Sequence, residues 1–552
     1  MTRTREPRSA VVVGGGISGL ASAALLAREG YQVTLLEARD VVGGRAGLWE
    51  HEGFSFDTGP SWYLMPEVFD HFFGLLGTSA DEQLELVRLD PGYRVFFENR
   101  PSMEVAGDLE TNVATFEGIE PGAGERLRAY LGSARDTYTM ATRHFLYTTY
   151  ASLLPLANRD VLTRLPRLVR LLTESLETRA AREFTDPRLR QVLGYPAVFL
   201  GSAPRLTPSM YHLMSHLDMA DGVLYPQGGF SRLIGAIRGL AEQRGVDIRL
   251  GAQALAITTQ PYEGGRTVAG RTVPGPVRAR ATGVDYRDAD GTRQHVSADV
   301  VVSTVDLHQT ETVLLPARLR SRSEWWWRRS VPGPSAVLLY LGVSGELPTL
   351  GHHSLFFTED WQQGFDRIFP RRGHPAADTA FPDPASLYVC KPSATDPSVA
   401  PAGAENVFVL VPVPPDPRLG RGGLDGEGDP WVEQVADAAI AQVARWAGVP
   451  DLAERVVVRR TVGPADFAEE LRTWQGTALG PAHTLAQSAM FRSGNVSRRV
   501  SGLYHAGGSV IPGIGLPMCL ISAEILIKRL RGDTSTGPLD EGAEPRVRAA
   551  AR

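Results

Sequence analysis

The clearest pattern lies at the start of the chain. The apolar run at residues 10–13 gives way to Gly14, Gly15 and Gly16, and then to an Ala- and Leu-rich run over residues 17–28. The short run reads as a buried strand and the longer one as a helix. Gly30 ends that helix, and residues 32–37 read as a second strand. This β–α–β opening predicts an α/β fold. From residue 64 to about 226 the apolar spacing is mostly helical, with polar breaks, and a further helix spans 228–245. Strand-like segments then return at 248–250, 282–286 and 299–304, so the opening domain is expected to be discontinuous, with a helical insertion inside it. A mixed segment from about 335 to 460 carries Pro- and Gly-rich loops, notably at 412–430. A strand at 502–505, a glycine-rich turn and a helix at about 519–530 close the chain, and the tail from 532 to 552 is expected to be disordered.

Length changes this picture only by requiring more than one core: 552 residues imply two or three domains. The 57 Lys+Arg against 62 Asp+Glu leave a net charge of -5, which argues against a nucleic-acid partner. The two cysteines, Cys390 and Cys519, are far apart and form no CxxC pair, so neither a disulfide framework nor a metal site is expected, and a cytoplasmic setting is. Cys519 sits in an apolar run and reads as a packing residue. No secretion signal and no apolar run of spanning length is expected, so any membrane contact would be peripheral.

The chemistry starts at Gly14-x-Gly16-x-x-Gly19, between strand and helix. Gly14 permits the tight turn, Gly16 lets backbone approach a pyrophosphate, and Gly19 lets the helix pack closely. Ile17 and Ser18 open the helix, whose free N–H groups and positive dipole end favour phosphate. Glu37, at the end of the second strand, is placed to accept hydrogen bonds from ribose hydroxyls. The fold expected is therefore a Rossmann-type dinucleotide domain. Glu37 is followed by Ala38, Arg39 and, a few residues on, Gly43-Gly44-Arg45. This resembles the glycine-arginine element of the large FAD family that contains amine oxidases, GDP-dissociation inhibitors and carotenoid desaturases. The resemblance implies FAD, with Arg45 supplying donors near its phosphates or flavin. No second GxGxxG follows a strand, so electrons are expected to pass to an external acceptor, a quinone or oxygen. At the far end, Gly507-Gly508 and Pro512-Gly-x-Gly515-Leu516-Pro517 form a second glycine loop before a helix.

Further runs narrow the resemblance. Gly53-Phe54-x-Phe56-Asp57-x-Gly59-Pro60-Ser61, Tyr225-Pro226-x-Gly228-Gly229, Pro464-Ala465-Asp466-Phe467, Gln487-Ser488-Ala489-x-Phe491-Arg492 with Asn495, and Ser522-Ala523 resemble bacterial phytoene desaturases of the CrtI type, over roughly residues 10 to 532. The resemblance implies an FAD domain at 9–65, 224–310 and 490–532, with Gly59, Pro60, Ser61 and Ala254 added to its cofactor contacts. It implies a mixed α/β substrate domain at 66–135 and 311–489, and a helical, membrane-contacting insertion at 136–223. It also implies introduction of double bonds into phytoene, towards lycopene, by hydride transfer to the flavin, in a long apolar tunnel. An apolar isoprenoid and the membrane surface would be its partners. Residues 145–172 interleave leucines and aromatics with Arg159, Arg164, Arg167 and Arg170, and are the candidate docking segment, or an ordinary amphipathic helix.

Two departures leave catalysis unassigned. The family's Arg-Asp-x-Leu-Arg run appears as Arg159-Asp160-Val161-Leu162-Thr163, so Asp160 is at most a weak acid/base candidate, and a helix-surface charge is the preferred reading. The C-terminal loop reads Gly-Gly-Ser-Val-Ile-Pro where many relatives have Gly-Ala-Gly-Thr-His-Pro. Trp325 to Trp327 read as core packing, tunnel wall or membrane-interface residues, and His212 with His216 as structural or substrate-domain residues rather than metal-binding. A desaturase or ketolase acting on another C30–C40 isoprenoid, an amine-oxidising flavoenzyme, and a prenyl-binding chaperone of the GDP-dissociation-inhibitor type are the alternatives.

Overall fold

The computed structural model describes residues 8–262, 265–268, 271–274, 277–369 and 383–542, with backbone alone for 265–268 and 271–274. Five strands from distant parts of the chain form one parallel sheet. Their spatial order is Leu503–His505, Val300–Ser303, Ser9–Val13, Gln32–Leu36 and Asp247–Arg249. The first apolar run is thus the central strand, buried on both faces, which is why it shows no polar alternation. Helix Ile17–Arg28 lies between helices Phe230–Gln243 and Leu516–Arg531. Its Ala21, Ala23 and Ala24 are fully buried, and side chains this small let three helices meet closely.

A second sheet has seven strands in the order Val456–Val462, Ser335–Ser344, Ala404–Val413, Leu387–Cys390, His353–Phe357, Tyr93–Phe97 and Arg100–Val105. It is antiparallel except where His353–Phe357 runs parallel to Tyr93–Phe97. Helix Pro430–Ala447 covers one face with Val432, Val435, Ala439 and Val443. The other face, carrying Tyr340, Tyr388, Cys390 and Phe408, turns towards helix Ala123–Ala141 and the cavity described below.

Three expectations need correction. Residues 64–226 are not helical throughout: Leu86–Arg88 is a strand, and Tyr93–Phe97 with Arg100–Val105 forms a hairpin at the sheet edge. Tyr93, Val95 and Phe97 alternate with the more exposed Arg94, a two-residue period that marks a strand. Residues 145–172 are not one helix either. They break into Leu154–Leu156, Arg159–Thr163 and Leu165–Thr173, with prolines at the starts of the first and last.

The tail, expected to be disordered from 532, is packed as far as 542. Leu539 is buried in the core, its N–H bonds the Glu524 carboxylate, and Lys528 Nζ donates to the carbonyls of Tyr147 (3.0 Å) and Ser535 (2.8 Å). His71 sits between Glu524 (3.1 Å) and Glu541 (3.0 Å). Burial alone would lower its pKa, but these two carboxylates outweigh it and raise the value. Residues 543–552 lie outside the described residues.

Candidate active site

The opening turn is built by contacts that only glycine allows. Gly14, at φ +101°, donates its N–H to the Leu36 carbonyl at 2.8 Å. A Cβ on Gly19 would stand 1.9 Å from the Gly14 carbonyl oxygen, so helix and turn are in backbone contact there. The Gly43-Gly44 segment lies directly on this turn: Gly43 N–H donates to Gly15 C=O at 2.9 Å, and a Cβ on Gly44 would come 3.1 Å from Gly16 Cα. Glu37, 8% exposed, joins the pieces by accepting the N–H groups of Gly15 (2.6 Å) and Arg39 (2.9 Å). Arg39 in turn donates to the Gly44 carbonyl at 2.9 Å. Helix Ile17–Arg28 has no side-chain cap, so its first N–H groups stay open.

The C-terminal loop is held by a buried polar frame. Arg492 donates to the carbonyls of Val510 (3.2 Å), Gln487 (3.0 Å) and Gly508. Asn495 Nδ2 bonds the His505 carbonyl at 3.1 Å and Ser522 Oγ at 3.1 Å, and Ser522 Oγ accepts the Gly507 N–H at 3.0 Å. Burial pushes the Arg492 pKa down to about 10. Asp57 plays the same role elsewhere, accepting the first N–H groups of helix Phe230–Gln243 from Phe230 (2.8 Å) and Ser231 (3.1 Å). Burial raises its pKa to about 7 against those two donors, which favour the charged form. A Cβ on Gly229 would meet Asp57 at 2.7 Å. The motif residues Asp57, Gly229, Gln487, Arg492, Asn495 and Ser522 are therefore the joinery of the site.

The two glycine loops open on one cavity of about 1830 Å³. Its polar end is lined by Gly14, Gly16, Ile17, Ser18, Glu37, Ala38, Arg39, Gly43, Gly44, Arg45, Gly59, Pro60, Ser61, Ala254, Gly508, Gly515 and Leu516. Gly19, Gly507 and Pro512 stand behind it, the first two in the close contacts already described. From there an apolar arm runs past Trp62, Tyr195, Phe199, Leu338, Phe357 and Phe408, on the face of the seven-stranded sheet. A single-ligand pocket typically measures roughly 300–1,000 Å³, so this volume has room for two molecules side by side.

Other candidates fall elsewhere. Asp160 is not at the cavity: it is a half-exposed residue of a one-turn helix, bonded to His144 (3.0 Å) and ion-paired with Arg164 (3.4 Å). Its placement corrects the acid/base candidacy. Trp327 packs with Leu307, Trp474 and Val510, while Trp325 is exposed beside Arg329. His212 is held by the Ser209 carbonyl (2.8 Å), and His216 lies 3.6 Å from Asp221. Cys519 is only partly buried and lines the cavity near Arg45. One cluster went unforeseen: Tyr388 beside Ser61, with His352, His353 and Cys390 behind it, the last three with donor atoms within 4.8 Å of one another. The His352–His353 doublet was its only signal in the sequence.

Residues 17–525 match the family described as flavin containing amine oxidoreductase. The chain belongs to this family. Within it, the chain is 39% identical over 513 residues to a carotenoid 3,4-desaturase from Haloarcula japonica, covering 93% of this chain and 96% of the relative. It is 32% identical over 536 residues to a zeta-carotene-forming phytoene desaturase from Myxococcus xanthus, covering 96% and 95%. Among solved structures, a putrescine oxidase bound to putrescine shares the fold with a TM-score of 0.57 at 17% identity, covering 94% of this chain and 97% of that one. As in other flavin containing amine oxidoreductases, the cofactor is FAD. The residues present fit it: beside the uncapped helix, the buried Arg45 Nε has no hydrogen-bond partner. An unpaired guanidinium nitrogen at a cavity wall costs energy unless an acceptor, such as a phosphate or flavin carbonyl, meets it.

Proposed function

We propose that this protein is an FAD-dependent carotenoid desaturase that introduces double bonds into phytoene, towards lycopene. The observation that carries the proposal is one cavity in which a glycine- and arginine-lined cradle continues into an arm walled largely by aromatic and aliphatic side chains, with Arg328, Arg367, Arg460 and Arg472 among its other lining residues. A hydrocarbon offers no group to grip, so shape and burial must position it, at about 25 cal/mol per Å² of apolar surface removed from water. Bound FAD supplies the hydride acceptor. The chain's own part is to orient one carbon–carbon bond beside it and to keep water out.

On this reading the parallel sheet with its glycine turn is a Rossmann-type FAD domain formed by 9–65, 224–310 and 490–532, and 66–135 with 311–489 is the substrate domain. Glu37 holds the adenosine ribose, helix Ile17–Arg28 the pyrophosphate through Gly16, Ile17 and Ser18, and Arg45, Ser61, Gly508 and Leu516 border the flavin. Electrons leave for a quinone or oxygen. A second reading, 3,4-desaturation of an already conjugated carotenoid, is favoured by the higher identity to the Haloarcula japonica protein. Expression in a phytoene-accumulating host separates them. Loss of the phytoene peak is expected. Conversion of added lycopene with phytoene untouched would select the second reading, and flavin-loaded protein that changes neither pigment would defeat both.

No described helix is long and apolar enough to cross a membrane. The insertion at 136–223 is proposed to rest on the lipid surface. Leu153, Leu154, Leu162, Leu165 and Val169 are exposed there, Leu154 at 82%, with the exposed Arg159, Arg164 and Arg170 around them. The protein is expected to sediment with anionic vesicles, and Leu154→Asp with Leu165→Asp to release it. Equal sedimentation of the double variant would place docking elsewhere.

A further inference from the structure

Desaturation leaves a proton to be placed. Forming one carbon–carbon double bond removes two hydrogens and two electrons. One hydrogen departs with both electrons as hydride to the oxidised cofactor, and the other departs as a proton whose bonding pair becomes the new π bond. That proton needs an acceptor at the cavity wall. The carboxylates at the cavity wall are poorly suited. Glu37 holds two N–H groups, Asp306 accepts the His308 N–H (2.8 Å), Asp466 holds the N–H groups of Gly422 and Gly463 (both 2.7 Å), Asp416 pairs with Arg418, and Glu470 is exposed.

We propose that the Tyr388 hydroxyl takes the substrate proton and passes its own to His353 Nδ1. The inference rests on the desaturase reading above. Tyr388 lines the cavity, and its oxygen lies 2.6 Å from Ser61 Oγ, 3.1 Å from Trp62 Nε1 and 2.8 Å from His353 Nδ1. Trp62 can only donate. Two arrangements then satisfy every partner. Either Tyr388 donates to His353 and accepts from Ser61, or it accepts from His353 and donates to Ser61. In the first arrangement the Tyr388 proton already points at the imidazole; when the Ser61 hydroxyl rotates away, the oxygen lone pair it held opens to the substrate proton as Tyr388 hands its own to His353.

Strand register fixes this geometry. Leu355 pairs with Tyr388 and His353 with Cys390 across adjacent antiparallel strands, so all four side chains project from one face. Trp62 stacks on the His353 ring, centroids 4.5 Å apart at 10°, and locks its plane. Burial holds His353 neutral, well below the ordinary imidazole value, which keeps a ring nitrogen lone pair free. Such a base is weak, but a C–H beside a carbon that has just lost hydride is a far stronger acid than imidazolium, so a weak base suffices. Beyond it, His353 Nε2 and His352 Nε2 are buried without partners, giving the proton a second stop. Tyr388 is thus the group at the substrate and His353 a positioning residue that acts through it.

The test is the rate of flavin reduction by carotene under anaerobic conditions, with flavin-loaded protein. Tyr388→Phe is expected to slow reduction about 100-fold, a typical general-base contribution, with flavin content and carotene affinity unchanged. His353→Asn places an amide oxygen near the Nδ1 position, keeping the hydrogen bond but removing the basicity, and is expected to slow reduction comparably. Wild-type rates in Tyr388→Phe would overturn the proposal. Recovery by Asn would also overturn it, since a purely structural histidine is replaceable there, and if Tyr388→Phe fails to fold this variant decides alone. One equivalent of zinc in the purified protein, bound through His352, His353 and Cys390, would overturn it as well. Failure of the wild-type protein to be reduced by any carotene would instead refute the desaturase reading.

Discussion

Gly19→Ala is expected to yield protein that does not retain FAD. The added methyl would lie 1.9 Å from the Gly14 carbonyl oxygen, a backbone atom that cannot swing aside as a side chain would. Overpacking of a tight core costs about 1–3 kcal/mol even where side chains can shift, so a backbone clash should exceed that range. Relief requires moving helix Ile17–Arg28 away from the turn, and the same helix is wedged against Phe230–Gln243 and Leu516–Arg531. The helix N–H groups then no longer converge with Gly43 and Gly44 on one site. Flavin absorbance per mole of soluble protein measures the effect. Gly235→Ala is the control: it lies in helix Phe230–Gln243 with nothing within 4 Å of the added methyl, and should keep its full flavin content. Full flavin in Gly19→Ala would show that the close contact is dispensable.

Glu37→Ala should weaken FAD binding without emptying the cavity of structure. The carboxylate holds the N–H groups of Gly15 and Arg39, one on each oxygen, and so ties the glycine turn to the end of the second strand. Losing two hydrogen bonds to a charged acceptor costs about 1.5–3 kcal/mol each at most, and part of that falls on flavin affinity through the misplaced turn. On the proposed ribose role of Glu37, a further part is that contact. An increase in the FAD dissociation constant of about 10- to 100-fold is expected, because each factor of ten corresponds to about 1.4 kcal/mol. Glu37→Gln, which keeps one acceptor oxygen, should fall between. Titration of apoprotein with FAD is the measurement, and an unchanged constant in Glu37→Ala would remove Glu37 from the site.

How much of this was legible in the sequence follows from the range of the interactions. The opening strand, helix and second strand could be read because their causes are local: an apolar run, three glycines and a terminating Gly30 within a few residues. Helix Ile17–Arg28 appears with the expected bounds. The glycine pairs at 43–44 and 507–508 could be marked as backbone-approach sites, but not that a Cβ on Gly44 would meet Gly16, since that depends on a tertiary fold. The Tyr388–His353 contact was hidden for the same reason. It arises from pairing between strands 35 residues apart, and nothing in the sequence sets that register. Residues 93–105 were misread because three apolar aromatic and aliphatic positions in a short window suit a helix face as well as a strand. The packed tail to 542 depends on Leu539 in the core and on partners far away in the chain, Glu524, Lys528 and His71, none of which composition alone can assign to it.

A redox cofactor and a hydrocarbon must meet in one chamber for this chemistry, and a single absorbance trace tests whether they do. Phytoene, delivered in vesicles to the FAD-loaded protein without oxygen, should bleach the oxidised flavin and leave an equal amount of a more unsaturated carotene. A flavin that stays oxidised with phytoene and lycopene, yet bleaches with a simple amine, would contradict the account and make this chain an amine oxidase.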